Sequence, residues 1–534
     1  MRRCQQTSLR WSERHVPPNE SRDLIQLIEQ RRALGDASAL RIGERRWSYA
    51  ELATLIEQRA RALTQAGVSA RELVLCPTTP VLDSLLMQWA LARLGVAMLP
   101  IRADLPDARR AALMRATGAE WWWEPAEGDG ESGAGLPGML SDSRYAQAPT
   151  SLADLSPAAA AATTTAEPTT AVTEAAITPF LLVETSGSSA DPKLVMLSAA
   201  TILASCQAVN ARLALRRGDR WLCVLPRHHV GGLAIGYRCA LAGAELQVQS
   251  RFAADAVHAA LREDGITHVS LVPAQLERLL SLDDPTPPTS LRVVLLGGQG
   301  LDARLARRAL DHGWPLYLGY GMSETFSQIA GGWIGADGVP PQGLIPLAGV
   351  ELGCPSCAEA SVEASVETSA APSQQPAARH TQPLRLRAPM LMLGYANPAR
   401  RPGEGLDDGW LQTSDLACRL PGGGLQVLGR ADDVVLIAGI NVLPAEIERE
   451  IAQLDRITEV AVVGVPDPTW GHRLVALYTG SLAPSMLAAW CRDNLPSHQR
   501  PRGFARLDSL PMLSSGKRDR RALAARAAEI TQLD

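Results

Sequence analysis

The chain has few aromatic residues and no excess of positive charge. Phenylalanine, tryptophan and tyrosine make up 4% of its 534 residues, and they are not interleaved with basic residues as in a surface that stacks on bases. Lysine and arginine number 52 against 56 aspartate and glutamate residues, which gives a formal net charge of −4. Both shortages argue against a nucleic acid as the partner of this protein.

No hydrophobic run is long enough to predict a membrane span. The most apolar stretch, residues 85–101, is interrupted by Gln88, Arg93 and Pro100, and a bilayer needs about 20 apolar residues. The first residues, MRRCQQ, carry charge without a following apolar segment, so we expect no secretion signal. We therefore expect a protein without a transmembrane segment.

Cysteine is too scattered to predict a disulfide framework. The nine cysteines are odd in number and spread along a long chain, which favours reduced thiols and a cytoplasmic location. Cys354 and Cys357 have the spacing of a metal-ligand pair, but a tetrahedral zinc site needs two further ligands and no second pair lies nearby. The pair alone does not predict a metal or redox centre.

Length and composition predict a globular protein of at least two domains. A chain of 534 residues exceeds what one hydrophobic core accommodates, and 46% hydrophobic with 20% charged residues is typical of soluble proteins. Two tracts, about 125–177 and 355–382, are dominated by small and polar residues. Such tracts bury too little apolar surface to offset the entropy of ordering, so we expect flexible surface insertions.

Apolar runs alternate with amphipathic segments over most of the chain. This alternation predicts an α/β fold in which layered, mostly parallel sheets are covered by helices on both faces. The predicted strands lie at 73–75, 269–272, 293–296 and 316–318, and the predicted helices include 80–94 and 302–312.

The pattern changes after Arg430, where short strands alternate with helices. We predict a large domain over 1–429, a boundary at 430–432 and a small α+β domain over 433–534, a common domain size. In the small domain the predicted strands are 460–463, 474–478 and 504–507, and the predicted helices are 444–454, 484–495 and 518–530.

Residues 185–193, TSGSSADPK, have the composition of a phosphate-binding loop. They lie between an apolar run at 180–183 and a helix-compatible segment at 197–208. Small residues let backbone N–H groups approach an anion, hydroxyl groups add donors and a lysine adds positive charge. The loop is not a Walker A motif, and a solvated Ser/Gly turn is the alternative. The candidate phosphate ligands are Thr185, Ser186, Gly187, Ser188, Ser189 and Lys193.

Seven further motifs follow this loop along the chain: LPRHHVGG (225–232), LGGQG (296–300), GYGMSET (319–325), GWLQTSD (409–415), GRADD (429–433), GINVLPAE (439–446) and SSGK (514–517). This ordered set resembles the adenylate-forming superfamily of acyl- and aryl-CoA ligases, luciferases and peptide-synthetase adenylation domains. The likeness covers roughly residues 25–525 outside the two tracts. It implies a small carboxylic acid substrate, ATP with Mg²⁺, coenzyme A as co-substrate, and release of AMP and pyrophosphate.

The resemblance also implies a role for each charged residue of these motifs. Glu324 would help to hold Mg²⁺, and the Ser323 hydroxyl would contact the α-phosphate. Asp415 would accept the ribose hydroxyl groups beside Arg430. Lys517 would bridge the substrate carboxylate and the α-phosphate, where fixed positive charge is a large catalytic term. Further nucleotide-binding positions are Gly297, Gly298, Gln299, Tyr320 and Gly321, and Asp432 occupies the family's hinge position.

The phosphate loop departs from the family at two positions. Ala190 and Leu194 stand where related loops usually carry glycine. If either position needs positive φ, a side chain there costs about 1 kcal/mol. In that case ATP would bind several-fold more weakly, without loss of the reaction type.

Several details are similar to one subgroup, the o-succinylbenzoate–CoA ligases of menaquinone synthesis. Their acid has an aromatic ring and a second carboxylate. The resemblance puts His229 and Gly298 in the acyl pocket, and Arg238 where a cation would meet the distal carboxylate. The alternatives are another aryl- or medium-chain acyl-CoA synthetase, a degenerate nucleotide-binding member, and a carrier-loading adenylation domain. The details are LPRHHVGG (225–232), YR (237–238), HVSLVPAQ (268–275) and WGHR (470–473).

Overall fold

A computed structural model describes most of the chain from residue 27 to residue 531. The described residues are 27–119, 121–124, 139–141, 179–185, 193–354, 383–396, 403–437, 440–467, 470–512 and 518–531. The α-helices are α1 (Leu27–Arg31), α2 (Tyr49–Gln65), α3 (Val81–Leu94), α4 (Asp107–Thr117), α5 (Ala199–Leu213), α6 (Val230–Ala242), α7 (Ala254–Glu263), α8 (Pro273–Leu279), α9 (Ala303–Asp311), α10 (Pro444–Ile451), α11 (Pro484–Asn494) and α12 (Arg520–Thr531).

The strands fall into three larger sheets before residue 431 and two smaller sheets after it. The first group is β1 (Ser38–Ile42), β2 (Arg45–Ser48), β3 (Leu73–Pro77), β4 (Ala97–Ile101), β5 (Trp121–Trp123), β6 (Met139–Ser141), β7 (Leu181–Glu184), β8 (Leu194–Leu197), β9 (Arg220–Cys223), β10 (Glu245–Val248), β11 (His268–Leu271), β12 (Val293–Leu296), β13 (Leu316–Met322), β14 (Ser327–Trp333), β15 (Ile345–Pro346), β16 (Glu351–Gly353), β17 (Pro383–Arg387), β18 (Gly394–Tyr395), β19 (Leu406–Asp407), β20 (Trp410–Arg419) and β21 (Leu425–Arg430). The second group is β22 (Val435–Ile437), β23 (Ile440–Val442), β24 (Ile457–Asp467), β25 (Gly471–Gly480) and β26 (Gly503–Arg506).

A nine-stranded sheet forms the centre of the fold, in the order β15-β14-β13-β12-β11-β9-β10-β1-β2. Its interior pairs, from β13 to β1, are parallel, and the strands added at both edges are antiparallel. A seven-stranded sheet has the order β18-β8-β7-β4-β3-β5-β6 and a parallel centre. The prediction of layered, mostly parallel sheets is confirmed.

Helices α2, α3, α5 and α6 lie between these two sheets. One hydrophobic cluster contains side chains from these helices and from one face of each sheet, such as Trp221 of β9 and Val183 of β7. Helices α7, α8 and α9 cover the other face of the nine-stranded sheet, in a cluster that includes Leu296 and Trp314. Burial on both faces explains why the central strands are continuous hydrophobic runs.

The part of the chain after residue 431 has its own apolar clusters. In the three-stranded sheet β24-β25-β26, one face packs against α10 and α11 and the other against α12. Val460 and Val462 point to the first side, whereas Ala461 and Val463 point to the second. This alternation along β24 gives the α+β arrangement predicted from the sequence.

Most predicted elements are present with shifted ends. The helix-compatible segment 197–208 is helical from Ala199, since Leu197 ends β8 and the Ser198 hydroxyl accepts from the Thr201 N–H and caps the helix. Within the tract 125–177, predicted to be a flexible surface insertion, strand β6 pairs with β5. The tract 355–382 lies outside the described residues.

Within the described residues, no helix is long and apolar enough to cross a membrane. The most apolar stretch of the sequence is divided between α3 and β4, and the Gly95 C-cap, with φ of 67°, ends the helix between them.

Candidate functional site

The base of the phosphate loop is held between two antiparallel strands. Thr185 follows β7, Lys193 precedes β8, and the Thr185 N–H donates to the Lys193 carbonyl over 2.9 Å. Residues 186–192 lie outside the described residues, and with them Ser186, Gly187, Ser188, Ser189 and Ala190.

Leu194 does not need positive φ. Leu194 is the first residue of β8, where it pairs with Glu184 of β7 and is 1% exposed. Its backbone is therefore extended, a conformation that costs a residue with a Cβ nothing. Of the two departures from the family pattern, only Ala190 stays open as a cause of weaker ATP binding.

Glu324 lies in a short 3₁₀ turn, Ser323–Thr325, between β13 and β14. The turn is closed by the Thr325 hydroxyl, which donates to the Ser327 carbonyl over 2.7 Å. The two residues after it, Phe326 and Ser327, have positive φ of 46° and 94°. Strained backbone of this kind persists where the surroundings hold it in place. Here the Ser205 hydroxyl donates to the Phe326 carbonyl over 2.9 Å.

Tyr395 contacts Glu324 and Lys193, and sequence reasoning missed it. The Tyr395 hydroxyl donates to Glu324 Oε1 over 2.7 Å, and Lys193 Nζ lies 4.6 Å from the centroid of the Tyr395 ring. Burial, followed by the neighbouring Glu324 carboxylate, raises the pKa of Tyr395 well above its ordinary value, so the phenol keeps its proton and donates. The structure thus brings two predicted site residues together through a third.

Asp415 is held from two sides. Its Oδ2 accepts from the Tyr320 hydroxyl over 2.5 Å, and its Oδ1 lies 3.4 Å from Arg430 Nη1. Arg430 sits directly opposite Asp415 in the β20–β21 pair and also donates through Nη2 to Asp432 Oδ2 over 2.7 Å. Burial, followed by Asp415, raises the pKa of Tyr320 well above its ordinary value. A tyrosine, an arginine and two carboxylates therefore form one hydrogen-bonded chain.

The glycine-rich turn Gly297–Gln299 follows β12 at the same sheet edge as Tyr320. Leu296 and Leu318 are partners in the parallel β12–β13 pair. The turn after Leu296 therefore lies next to the part of β13 that contains Tyr320. This is the carboxyl edge, where α/β sheets bind ligands. The predicted nucleotide-binding residues of both motifs are thus brought together.

Gly321 has a structural reason to be glycine. A Cβ built on it would lie 2.0 Å from the Ser327 carbonyl oxygen and 2.5 Å from Gln328 Cα. Any side chain would therefore force β13 and β14 apart. The predicted nucleotide-binding position is, in this structure, a close approach of two strands.

The two predicted substrate residues lie at the start and in the body of α6. His229 is the N-cap residue, and its ring centroid lies 4.2 Å from that of His228. Arg238 is 0% exposed, and its Cζ lies 5.6 Å from the centroid of the Trp221 ring. Within the described part of the chain, Arg238 Nε and Nη2 have no hydrogen-bond partner. Burial lowers the pKa of Arg238, while the nearby thiols of Cys206 and Cys239 oppose that effect.

Metal ligands are few in the described ranges. They contain no cluster of three or more histidine, cysteine, aspartate or glutamate residues able to hold a metal. A Mg²⁺ ion shared with phosphates needs only one or two carboxylates, and Glu324, beside the lysine of the phosphate loop, fits that requirement. Lys517 lies outside the described residues, and so does Cys357 of the CxxC pair.

The α/β fold, the glycine-rich turn at the carboxyl edge and the carboxylates of Glu324 and Asp415 fit the sequence resemblance to enzymes that activate acids with ATP. Comparison with known proteins agrees. The pattern of AMP-binding enzymes matches residues 27–378, and that of the AMP-binding enzyme C-terminal domain matches residues 446–517. The chain belongs to the AMP-binding enzyme family, and it is an acid–thiol ligase of the AMP-forming type.

Three known proteins are similar to this chain in sequence or in fold. The chain is 31% identical over 355 residues to a 2-succinylbenzoate–CoA ligase of Bacillus cereus strain AH820, with 64% of this chain and 69% of that protein covered. The fold is similar to that of o-succinylbenzoate CoA synthetase from Bacillus subtilis bound to its acyl-adenylate intermediate. That similarity has a TM-score of 0.72 and 23% identity, and covers 93% of this chain and 97% of the other. ATP-bound MatB from Rhodopseudomonas palustris is also similar, with a TM-score of 0.76, 21% identity and coverage of 95% and 99%.

Proposed function

We propose that this protein is an o-succinylbenzoate–CoA ligase, which joins an aromatic dicarboxylic acid to coenzyme A with the conversion of ATP to AMP and pyrophosphate. The curated relatives of that name support the proposal. The structural observation that carries it is Arg238, a buried guanidinium with two nitrogens that lack a partner among the described residues.

The reaction has two steps in one cleft. A carboxylate oxygen of the acid attacks the α-phosphorus of ATP, the P–O bond to the β-phosphate breaks, and pyrophosphate leaves. The coenzyme A thiol, which loses its proton, then attacks the acyl carbon, and AMP leaves with the oxygen that joined it to the acid. No step needs a nucleophile from the protein, so the protein's contribution is to position the reactants and stabilise charge.

The Asp415 group suits the ribose of the nucleotide. An ionised carboxylate has about four acceptor positions, and Tyr320 and Arg430 occupy one on each oxygen. Two hydroxyl donors of a ribose can use the remaining positions. The donors from Tyr320 and Arg430 fix the carboxylate before the nucleotide arrives, which reduces the entropy that binding costs.

The triphosphate would lie between the phosphate loop and Glu324. Lys193 and the hydroxyl groups of Thr185, Ser186, Ser188 and Ser189 would bind the phosphates, and Ser323 would contact the α-phosphate. Glu324 would hold Mg²⁺, which would neutralise charge on the phosphate oxygens. Gly187, Gly297, Gly298 and Gln299 would line the nucleotide's path, and His229 the acyl pocket.

Lys517 and Asp432 would act through movement of the region after residue 430. Lys517 would stabilise charge between the acid and the α-phosphate in the first step, then leave with the small domain, 433–534, as the thiol approaches. Asp432 would be the hinge. The hydrogen bond from Arg430 to Asp432 supports this role, since it links the hinge to the carboxylate proposed for the ribose.

Arg238 would bind the distal carboxylate of the acid. A buried guanidinium with two nitrogens that lack hydrogen-bond partners among the described residues is costly. A carboxylate ligand would remove much of that cost through paired hydrogen bonds. Because the side chain has no exposed surface, the acid can reach it only if the surrounding side chains move. The proposal therefore includes a local rearrangement when the acid binds. We also propose a cytoplasmic location, which the free thiols of Cys76, Cys206, Cys223, Cys239, Cys354 and Cys491 support. Cys418 is disulfide-bonded, so the prediction of reduced thiols is wrong for that residue.

The test is a substrate panel. The purified protein is incubated with ATP, Mg²⁺, coenzyme A and one acid at a time: o-succinylbenzoate, benzoate, malonate or a medium-chain fatty acid. We expect AMP release to be fastest with o-succinylbenzoate. A clear preference for a monoacid would contradict the substrate assignment but keep the reaction, whereas the absence of turnover with every acid would favour a nucleotide-binding protein without activity.

A further inference from the structure

Tyr395 joins the two charged groups that the proposed function assigns to the triphosphate. Its hydroxyl donates to Glu324 over 2.7 Å, while its ring faces Lys193 Nζ at 4.6 Å from the centroid. We propose that Tyr395 is a positioning residue, which holds Lys193 and Glu324 at a fixed separation for the magnesium-bound triphosphate. The inference rests on the roles proposed for these two residues and adds a third side chain on which both depend.

The backbone around Tyr395 brings these groups together. Strand β18 runs antiparallel to β8, with Tyr395 opposite Val195. Lys193 precedes Val195 by two residues, so it is the diagonal neighbour of Tyr395, within reach of an aromatic side chain. The Met392 N–H, three residues before Tyr395, donates to the Glu324 carbonyl over 2.7 Å. One short segment therefore holds Glu324 by its backbone and by its side chain.

The Tyr395 ring has little room to move. A Cβ built on Gly405 would lie 2.5 Å from Tyr395 Cδ2 and 2.6 Å from Cε2, so the ring packs directly on that glycine. The Tyr395 N–H donates to the Glu404 carbonyl over 3.0 Å, which ties the same turn to the strand. The ring position is thus set by packing on the protein.

A tyrosine can bind opposite charges through two different parts of its side chain. The negative face of the ring attracts an ammonium group, and the hydroxyl donates to a carboxylate. A direct Lys–Glu salt bridge would let each charge neutralise the other. The tyrosine between them keeps the lysine at the phosphate loop and the carboxylate at the turn after β13, where phosphate and cation would bind.

The hydroxyl and the ring can be tested separately by calorimetric titration of nucleotide, with no acid present. Tyr395→Phe removes the hydroxyl alone and should weaken ATP binding about tenfold at limiting Mg²⁺, the loss expected for a hydrogen bond to a charged group. AMP binding should change less than about twofold, because AMP lacks the phosphates that a cation would bridge. Tyr395→Leu also removes the ring, and should weaken ATP binding even with EDTA present.

The matched control is Tyr478→Phe. The Tyr478 hydroxyl donates to the Leu482 carbonyl over 2.8 Å, remote in sequence from the site. Its removal should change neither the ATP affinity nor the AMP affinity. In a Glu324→Ala background, Tyr395→Phe should have little further effect, because each substitution removes the same hydrogen bond. Equal losses of ATP and AMP affinity in Tyr395→Phe, or additive effects of the two substitutions, would overturn the inference.

These titrations do not depend on which acid is activated, so a wrong acid assignment would leave them unchanged. Wild-type protein that failed to bind ATP would overturn both proposals.

Discussion

Each oxygen of the Asp415 carboxylate already has a donor in this structure. Tyr320 donates to Oδ2, Arg430 donates to Oδ1, and Arg430 continues to Asp432. A carboxylate fixed in this way presents its remaining acceptor positions in set directions. Arg238 is the opposite case, a charged side chain in the protein interior with nitrogens that lack a partner among the described residues. Polar side chains that already have hydrogen-bond partners suit a preformed binding site. Buried polar side chains without such partners indicate where the hydrogen bonds of a ligand would contribute most to binding.

Replacement of Arg238 tests the acid assignment at the residue scale. Arg238→Gln should raise the KM for o-succinylbenzoate roughly ten- to a hundredfold, since a hydrogen bond between charged groups contributes about 1.5–3 kcal/mol. The kinetics with benzoate-like monoacids should change little, because these acids lack the distal carboxylate. Steady-state rates with both kinds of acid give the comparison.

Arg59→Gln is the control for loss of a buried guanidinium. Arg59 is 5% exposed, and its Nη2 pairs with Asp83 Oδ1 at 2.5 Å. This variant should lower the stability of the protein without changing the ratio of the rates with o-succinylbenzoate and with monoacids. If Arg238→Gln reduced both activities in proportion, Arg238 would be a structural residue and the acid would have to be recognised elsewhere.

At the scale of elements, the β13–β14 hairpin sets the geometry of the site. Its register shifts between Tyr320 and Gly321, so Tyr320 pairs with Ala330 whereas Gly321 pairs with Gln328. Such a bulge redirects side chains and is common next to active sites. Tyr320, on one side of the bulge, contacts Asp415, and Glu324 lies in the turn on the other side. Both carboxylates that we propose to face the nucleotide therefore depend on this hairpin.

Gly321→Ala tests whether Gly321 acts through the hairpin. The added Cβ would lie 2.0 Å from a backbone oxygen, so we expect a loss of at least about 2 kcal/mol in unfolding free energy, measured by urea denaturation. Gly300→Ala is the control, because a Cβ there would meet no atom within 4 Å. A Gly321→Ala protein as stable as Gly300→Ala, but unable to bind ATP, would instead indicate direct contact between Gly321 and the nucleotide.

Several strands and helices could be predicted from the sequence, and the charged motif residues could be singled out, because each depends on a local pattern. A hydrophobic run of four residues marks β12, and the motif that contains Glu324 is contiguous in sequence. The role of Tyr395 could not be predicted, since it depends on the antiparallel pairing of β18 with β8, about 200 residues earlier in the chain. The close packing at Gly321 and the burial of Arg238 are likewise tertiary facts, set by neighbours that no local pattern identifies.

At the scale of the whole molecule, Arg304 connects the nine-stranded sheet's helical layer to the region after residue 430. From α9, its guanidinium donates to the Leu454 carbonyl and, over 2.6 Å, to that of Ile457. Leu454 lies between α10 and β24, and Ile457 is the first residue of β24. Both belong to the segment matched by the C-terminal family pattern. The contact holds the two regions in the arrangement seen here.

Arg304→Gln should loosen this arrangement. Loss of two hydrogen bonds, about 1–2 kcal/mol together, should raise the undocked population roughly five- to thirtyfold, and protease cleavage near 430–433 should accelerate to a similar extent. Arg307→Gln, on the same helix, is the control. Arg307 is exposed, and among the described residues its Nε donates to the Ala303 carbonyl of its own helix alone. Equal cleavage rates for the two variants would mean that Arg304 does not hold the C-terminal region in place.

The most direct test of the central claim follows the oxygen atoms of the acid. The protein is supplied with o-succinylbenzoate labelled with ¹⁸O in its carboxylates, together with ATP, Mg²⁺ and coenzyme A, and the nucleotide product is analysed by mass spectrometry. Because a carboxylate oxygen attacks the α-phosphorus and leaves with it, we expect one ¹⁸O atom in each AMP formed during thioester synthesis. Unlabelled AMP, or ADP with ¹⁸O in inorganic phosphate, would contradict the assignment of this chain as an AMP-forming o-succinylbenzoate–CoA ligase.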